Sequence, residues 1–109
     1  MFCKPNSTDY KQITEGVQRR VLVHGDHMLM AEFNLAAGSD LPEHDHPHEQ
    51  TGYVVSGRIR MNVKDKPSFE TGPGGAWSIA GGIPHSAEVL EDAVVIEVFY
   101  PVREDFLDK

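Results

Sequence analysis

The run His44-Asp45-His46-Pro47-His48-Glu49-Gln50 gathers three imidazoles, two carboxylates and a carboxamide into seven residues. In an extended chain, side chains two positions apart point the same way, so His44 and His46 can direct two imidazoles at one point. Two neutral ring nitrogens so placed suit a divalent metal ion. Pro47 donates no hydrogen bond to a neighbouring strand and marks an edge, a bend or a bulge, so the alternation does not carry through it. On spacing alone, His48, Glu49 and Gln50 all remain open as the next inward group. A solvated surface loop would have much the same composition. His24 and His27, flanking Gly25-Asp26 in a turn, read as ordinary surface residues.

A second group of reactive side chains lies near the carboxyl end. Ala93, Val95, Glu97 and Phe99 share one face of the most apolar segment of the chain, Ala93 to Tyr100. A carboxylate on an apolar strand is costly to bury and has its pKa pushed upward, which makes Glu97 a candidate acid/base. The plainer reading pairs it with Arg103 or another arginine. Arg103 offers a planar fork matched to a carboxylate, whether that of Glu97 or of an acidic substrate. Phe99 suits the core and could also touch a ligand.

The elements that must position these groups read as strands. Val17 to His24 alternates with period two, Gly25-Asp26 turns the chain, and Met28 to Leu35 places Leu29, Ala31, Phe33 and Leu35 on one face. Residues 36 to 43 read as a loop carrying Gly38 and Pro42. Tyr53 to Val55 is a strand, Ser56-Gly57 a tight hairpin turn, and Arg58 to Val63 the returning strand. Lys64 to Pro67 turns into Ser68 to Thr71. The glycine-rich Gly72-Pro73-Gly74-Gly75 precedes a short strand, Ala76 to Ile79, and Gly81-Gly82-Ile83-Pro84 presents His85. His85 to Leu90 alternates again, Glu91-Asp92 turns, and the apolar segment follows. In residues 1 to 15, Tyr10 and Ile13 are the anchors of an otherwise irregular stretch. Short strands at this spacing, with no sustained helical periodicity, predict an all-β barrel or jelly roll.

At 109 residues the chain makes a single domain, with 39% hydrophobic and 25% charged residues. No apolar run approaches the ~20 residues of a membrane span, and the amino terminus lacks the apolar core of a signal peptide, so a cytoplasmic protein is expected. The lone cysteine, Cys3, excludes an internal disulfide. Seventeen acidic against 10 basic residues, a net charge of -7, argue against a nucleic-acid partner. Apolar residues left over in the terminal segments suggest an edge paired with a second copy, a homodimer being the commonest closed arrangement.

Gly38-(five residues)-His44-x-His46-(three residues)-Gln50-(six residues)-Gly57 resembles the first motif of the cupin superfamily, with Gln50 where cupins usually carry Glu. Gly74-(five residues)-Ala80-x-Gly82-(two residues)-His85 resembles the second, with Ala80 replacing Pro and Val89 the final Asn. The resemblance implies a cupin double-stranded β-helix, or jelly-roll barrel, across residues 1 to 109. It also implies His44, His46, Gln50 and His85 as metal ligands, to the exclusion of His48 and Glu49. Three imidazoles and an amide oxygen form an uncharged donor set suited to Ni, Zn, Fe, Mn, Co or Cu dications, and leave the full charge available for Lewis-acid chemistry.

With the terminal Phe-Tyr-Pro-Val-Arg-Glu-Asp-Phe-Leu, the chain is similar to small single-domain cupins of the KdgF type, associated with pectin and alginate breakdown. Those proteins convert 4,5-unsaturated monouronates into open-chain keto forms. The resemblance places the catalytic roles on Glu97, Phe99 and Arg103, with Glu97 one methylene longer than the Asp expected of that type. It implies a small acidic sugar as substrate, its carboxylate on Arg103 and an oxygen beside the metal while Glu97 moves a proton. A metal-dependent dioxygenase or lyase of a small organic acid would use the same ligands. So would a non-catalytic sugar-acid- or metal-binding cupin.

Overall fold

The computed structural model describes residues 2–107. Eight strands and one 3-10 turn occur among them: β1 Lys11–Thr14, β2 Val17–His24, β3 Leu29–Leu35, β4 Asp40–His44, β5 Glu49–Val63, β6 Phe69–Thr71, β7 Ala76–Ile79, β8 His85–Tyr100, and the turn Glu104–Phe106. All pairings are antiparallel, in the order β1-β2-β3-β8-β5-β6, with β4 joined to β8 and β7 to β5.

β5 and β8 organise the barrel. They pair from Glu49 opposite Tyr100 to Val63 opposite His85, with register breaks between Val54 and Ile59. Their outer halves, 49–56 and 94–100, continue into β7 on one side and β3 on the other. The remaining halves continue into β6 and β4. Two sheets thus share two bent strands, which closes the barrel over the apolar interior.

This arrangement corrects two expected turns. Ser56-Gly57 and Glu91-Asp92 reverse nothing: each is the corner of a strand that runs on. Gly57 adopts φ +86°, and a Cβ there would stand 2.1 Å from the carbonyl oxygen of Asp92. The residue that resembled a hairpin glycine supplies a bulge where two strands bend together. The loop expected over 36–43 is also partly strand, since β4 begins at Asp40 and pairs only with β8. Pro42 is tolerated there because an edge strand has an unpaired side.

The interior face carries Leu29, Ala31, Phe33 and Leu35 of β3, as the alternation predicts, with Val54, Ile79 and Val95 in the same sheet and Ile59 and Val89 in the other. Burying such side chains contributes ~1.5–3 kcal/mol each. Tyr10 anchors the amino-terminal segment as expected, its hydroxyl donating to Glu32 at 3.0 Å while Arg20 bridges to the same carboxylate at 2.7 Å. Ile13 does not: it lies exposed in β1, an edge strand whose four residues all face solvent. No helix among the described residues is long and apolar enough to cross a membrane.

Candidate metal centre

His44 ends β4, His85 begins β8, and the two are paired across the strands. His46 lies past the end of β4, in the bend before β5, so the two imidazoles of His-x-His converge without sharing a strand. The bend is held from the opposite loop, where Gly82 N–H donates to the His46 carbonyl at 2.7 Å. One ring nitrogen from each of His44, His46 and His85 lies within 4.8 Å of the other two.

Each imidazole is oriented by a backbone carbonyl. Nδ1 of His44 donates to Pro42 O at 2.9 Å, that of His46 to His48 O at 3.0 Å, and that of His85 to Ile83 O at 2.8 Å. A carbonyl only accepts, so the proton sits on Nδ1 and the lone pair on Nε2. Nε2 of His46, Nε2 of His85 and Oε1 of Gln50 are buried without a hydrogen-bond partner. Orphaned buried acceptors are expensive, and a shared cation is what this donor set fits. Burial lowers the pKa of His46, reinforced by the charge of Arg103, and burial lowers that of His85 as well, which keeps both rings in the neutral form a metal requires.

Gln50 faces inward from β5, two residues from Gly52 on the same face. Its Nε2 donates to Glu97 Oε2, and Trp77 Nε1 donates to the same oxygen at 3.2 Å. Glu97 is buried on β8, and burial pushes its pKa up to about 7, opposed by the donors Trp77 and Gln50 and by the charge of Arg103. The ion pair between Glu97 and Arg103 weighed from the sequence does not form. Arg103 instead donates through Nε and Nη2 to the two oxygens of Asp105, at 3.0 and 2.8 Å.

Arg103 is nonetheless beside the histidines. Its guanidinium lies 4.9 Å from the Phe99 ring and 4.1 Å from Phe106, and Phe99 packs edge-on against His46 with centroids 5.9 Å apart. The tail folds back because Phe106 is buried between Phe33 and Phe99, with Arg19 covering it at 3.7 Å. His48 and Glu49 contribute no atom to the three-histidine cluster, and Glu49 is exposed. His24 and His27 are exposed, as read from the sequence. An interior cavity of about 40 Å³ is lined by His44, Gln50, His85, Trp77 and Glu97 at its polar end.

The family model described as "Cupin domain" matches residues 31–99. The chain is a cupin. It is 28% identical to the pectin degradation protein KdgF of Dickeya dadantii over 105 residues, 94% of each chain. KdgF from Halomonas sp. superposes on this cupin with a TM-score of 0.92 at 28% identity, over 98% of this chain and all of that one. An RmlC-like cupin from Shewanella frigidimarina gives 0.91 at 26% identity, over 97% and 95%.

Trp77 and Asp105 were not singled out from the sequence, although Trp77 donates to Glu97 and Asp105 holds Arg103. Gly52 was the available signal, because a glycine inside a strand pattern marks a close approach.

Proposed function

We propose that this cupin opens the ring of 4,5-unsaturated monouronates, with His44, His46, His85 and Gln50 Oε1 holding a divalent transition metal. The observation that carries the reading is an uncharged donor set backed directly by a buried acid, Glu97, whose pKa lies near neutrality. Similarity over nearly the whole chain to proteins named for pectin degradation supports the substrate class. A bound dication would supply Lewis acidity.

Arg103 would receive the substrate carboxylate on the part of its guanidinium that Asp105 leaves, and Phe99 and Phe106 would hold that fork flat and dry. In the isomerisation the hemiacetal carbon–oxygen bond breaks, the anomeric hydroxyl loses its proton to become an aldehyde, and the ring oxygen becomes a ketone. The former double-bond carbon must gain a proton. Glu97 would move it as general acid/base through Oε1, a role supported by the two donors that occupy Oε2. Metal-loaded protein incubated with an unsaturated galacturonate or guluronate should accelerate loss of the ultraviolet absorbance of the ring double bond. A rate no higher than buffer rejects the reaction.

We further propose a homodimer through the outer face of β3, β8 and β5. Met28, Met30, Tyr53, Val55 and Tyr100 are exposed there around Val94, Ile96 and Val98, so β8 is apolar on both faces. That pattern belongs to a strand covered on both sides. The patch offers on the order of 500 Å² of apolar surface, which a polar rim would bring to the ~800 Å² per partner of a standard interface.

A further inference from the structure

We propose that Trp77, acting with Glu97 across Gly52, is a positioning residue that fixes which atom of Gln50 faces the metal. The inference rests on the metal centre described above and concerns how one of its ligands is aimed.

A carboxamide has two ends of nearly equal size, and only the oxygen end has a lone pair for a cation. Rotated by half a turn, Gln50 would present an NH2 group to the histidine nitrogens and the site would lose a ligand. The partner at the far end of the amide decides between the two. That partner is Glu97 Oε2, which receives Nε2–H of Gln50 and Nε1–H of Trp77 together. An indole N–H can only donate, and an oxygen accepting two N–H groups carries no hydrogen of its own. A rotated Gln50 would therefore set its oxygen against the Glu97 oxygen, lone pair to lone pair. One orientation survives, with Oε1 toward His46 and His85, where it is buried and unpartnered.

The register explains how Trp77 reaches. Gly52 on β5 stands between Trp77 on β7 and Glu97 on β8, and two residues along, on the same face, Gln50 stands between Ile79 and Phe99. A Cβ at position 52 would lie 2.2–2.4 Å from Cε2, Cζ2 and Nε1 of the indole. The ring thus lies over the missing side chain and spans a whole strand to hydrogen-bond the carboxylate. Trp77 lines the cavity beside the histidines but contributes no atom to their cluster, and its indole N–H reaches Gln50 only through Glu97.

The test measures Co(II) binding to the full chain by calorimetry and by its visible ligand-field absorption, so substrate turnover does not enter it. Glu97→Leu removes both acceptor oxygens and should weaken Co(II) binding by about 10- to 100-fold; Trp77→Phe should lie near the lower end. Both should shift the Co(II) spectrum toward that of Gln50→Ala. In a Gln50→Ala background neither change should weaken binding further by more than about twofold, because the group being aimed is gone. If Trp77→Phe fails to fold by circular dichroism, the Gln50→Ala/Glu97→Leu cycle reads the same coupling. The proposal is overturned if both substitutions leave the wild-type affinity and spectrum intact. It is equally overturned if Glu97→Leu costs as much without Gln50 as with it, since the carboxylate would then act on the ion through charge alone. A wild-type chain that binds no Co(II) overturns both this inference and the metal centre; binding without uronate turnover overturns only the proposed reaction.

Discussion

Gly81→Ala tests whether the two loops that bring the histidines together are locked to each other. Gly81 belongs to the loop that presents His85, and a Cβ there would lie 2.2 Å from the carbonyl oxygen of Pro47 and 3.0 Å from its carbonyl carbon. Both are backbone atoms, so no rotamer relieves the contact. Ordinary van der Waals contact begins at 3.4 Å, which requires the loops to part by more than 1 Å. Pro47 lies between His46, whose carbonyl accepts Gly82 N–H at 2.7 Å, and His48, whose carbonyl orients the His46 ring at 3.0 Å. Metal–ligand distances tolerate only about 0.2 Å, so His46 and His85 would no longer both reach one ion.

Overpacking of this kind costs about 1–3 kcal/mol, and each hydrogen bond lost about 1 kcal/mol more. Where that strain relaxes by moving His46, metal affinity falls by at least tenfold, a tenfold change being worth about 1.4 kcal/mol. Thermal unfolding with and without Co(II) reads both quantities, because a ligand raises stability in proportion to its affinity. Gly74→Ala is the control: it imposes a residue at φ +92° but meets nothing within 4 Å. It should lower stability by about 1–2 kcal/mol and leave the Co(II)-induced shift unchanged. A Gly81→Ala protein with wild-type Co(II) affinity would refute the reasoning.

Gly57→Ala should destabilise by more than about 3 kcal/mol, because the added carbon meets Asp92 O at 2.1 Å and Ala93 Cα at 2.5 Å with φ at +86°; a midpoint of urea unfolding within error of wild type argues against the shared corner of β5 and β8. Asp105→Asn frees the Arg103 fork from its ion pair and should raise KM for an unsaturated monouronate several-fold with a smaller change in kcat, leaving Co(II) affinity intact. The same pair sets a pH dependence: Arg103 holds the Asp105 carboxyl below its ordinary value. A depressed folded-state pKa stabilises above the unfolded value of about 3.9 and loses that contribution as pH falls through the folded one. The stability gap between wild type and Asp105→Asn should therefore be flat from pH 7 to about 5 and close only in acid; a gap that closes near neutrality contradicts the assignment. Val98→Glu on the outer face of β8 should convert dimer to monomer in sedimentation equilibrium, and a wild-type chain that sediments as a monomer at micromolar concentration removes the proposed interface.

The readable parts of this molecule were those encoded locally. β2 has the bounds that period-two alternation gave, β7 those set by the glycine-rich turns around it, and the inward set of β3 follows because one buried face fixes every second residue. His44 and His46 were legible as a pair through their spacing and His85 through the resemblance to the second cupin motif, and each proves to be fastened by a carbonyl two residues away, a contact short enough to be encoded in the same few residues. The corners of β5 and β8 were not legible. Ser56-Gly57 and Glu91-Asp92 have the composition of turns, and a bulge uses the same left-handed glycine as a hairpin does. Whether a chain reverses or bends there depends on what pairs with it, and that is not a local property.

The same distinction governs the acid. Glu97 stood out because it interrupts an apolar strand, and the nearest arginine in sequence was its natural partner. Its actual partners come from β5 and β7, 47 and 20 residues away. The pairing with Gln50 and Trp77 follows from register: Gly52 is opposite Glu97 on one side and Trp77 on the other, so the one residue without a side chain falls where an indole must cross. Arg103, released from that role, is claimed by a carboxylate two residues on and by two aromatic rings, which fix it beside the histidines with its guanidinium only partly committed. An arginine buried against Glu97 would have neutralised both charges inside the barrel and left neither for a ligand. Separating them costs the desolvation that lifts the Glu97 pKa toward neutrality, and it leaves each charge with partners of its own, Gln50 and Trp77 for Glu97 and Asp105 for Arg103.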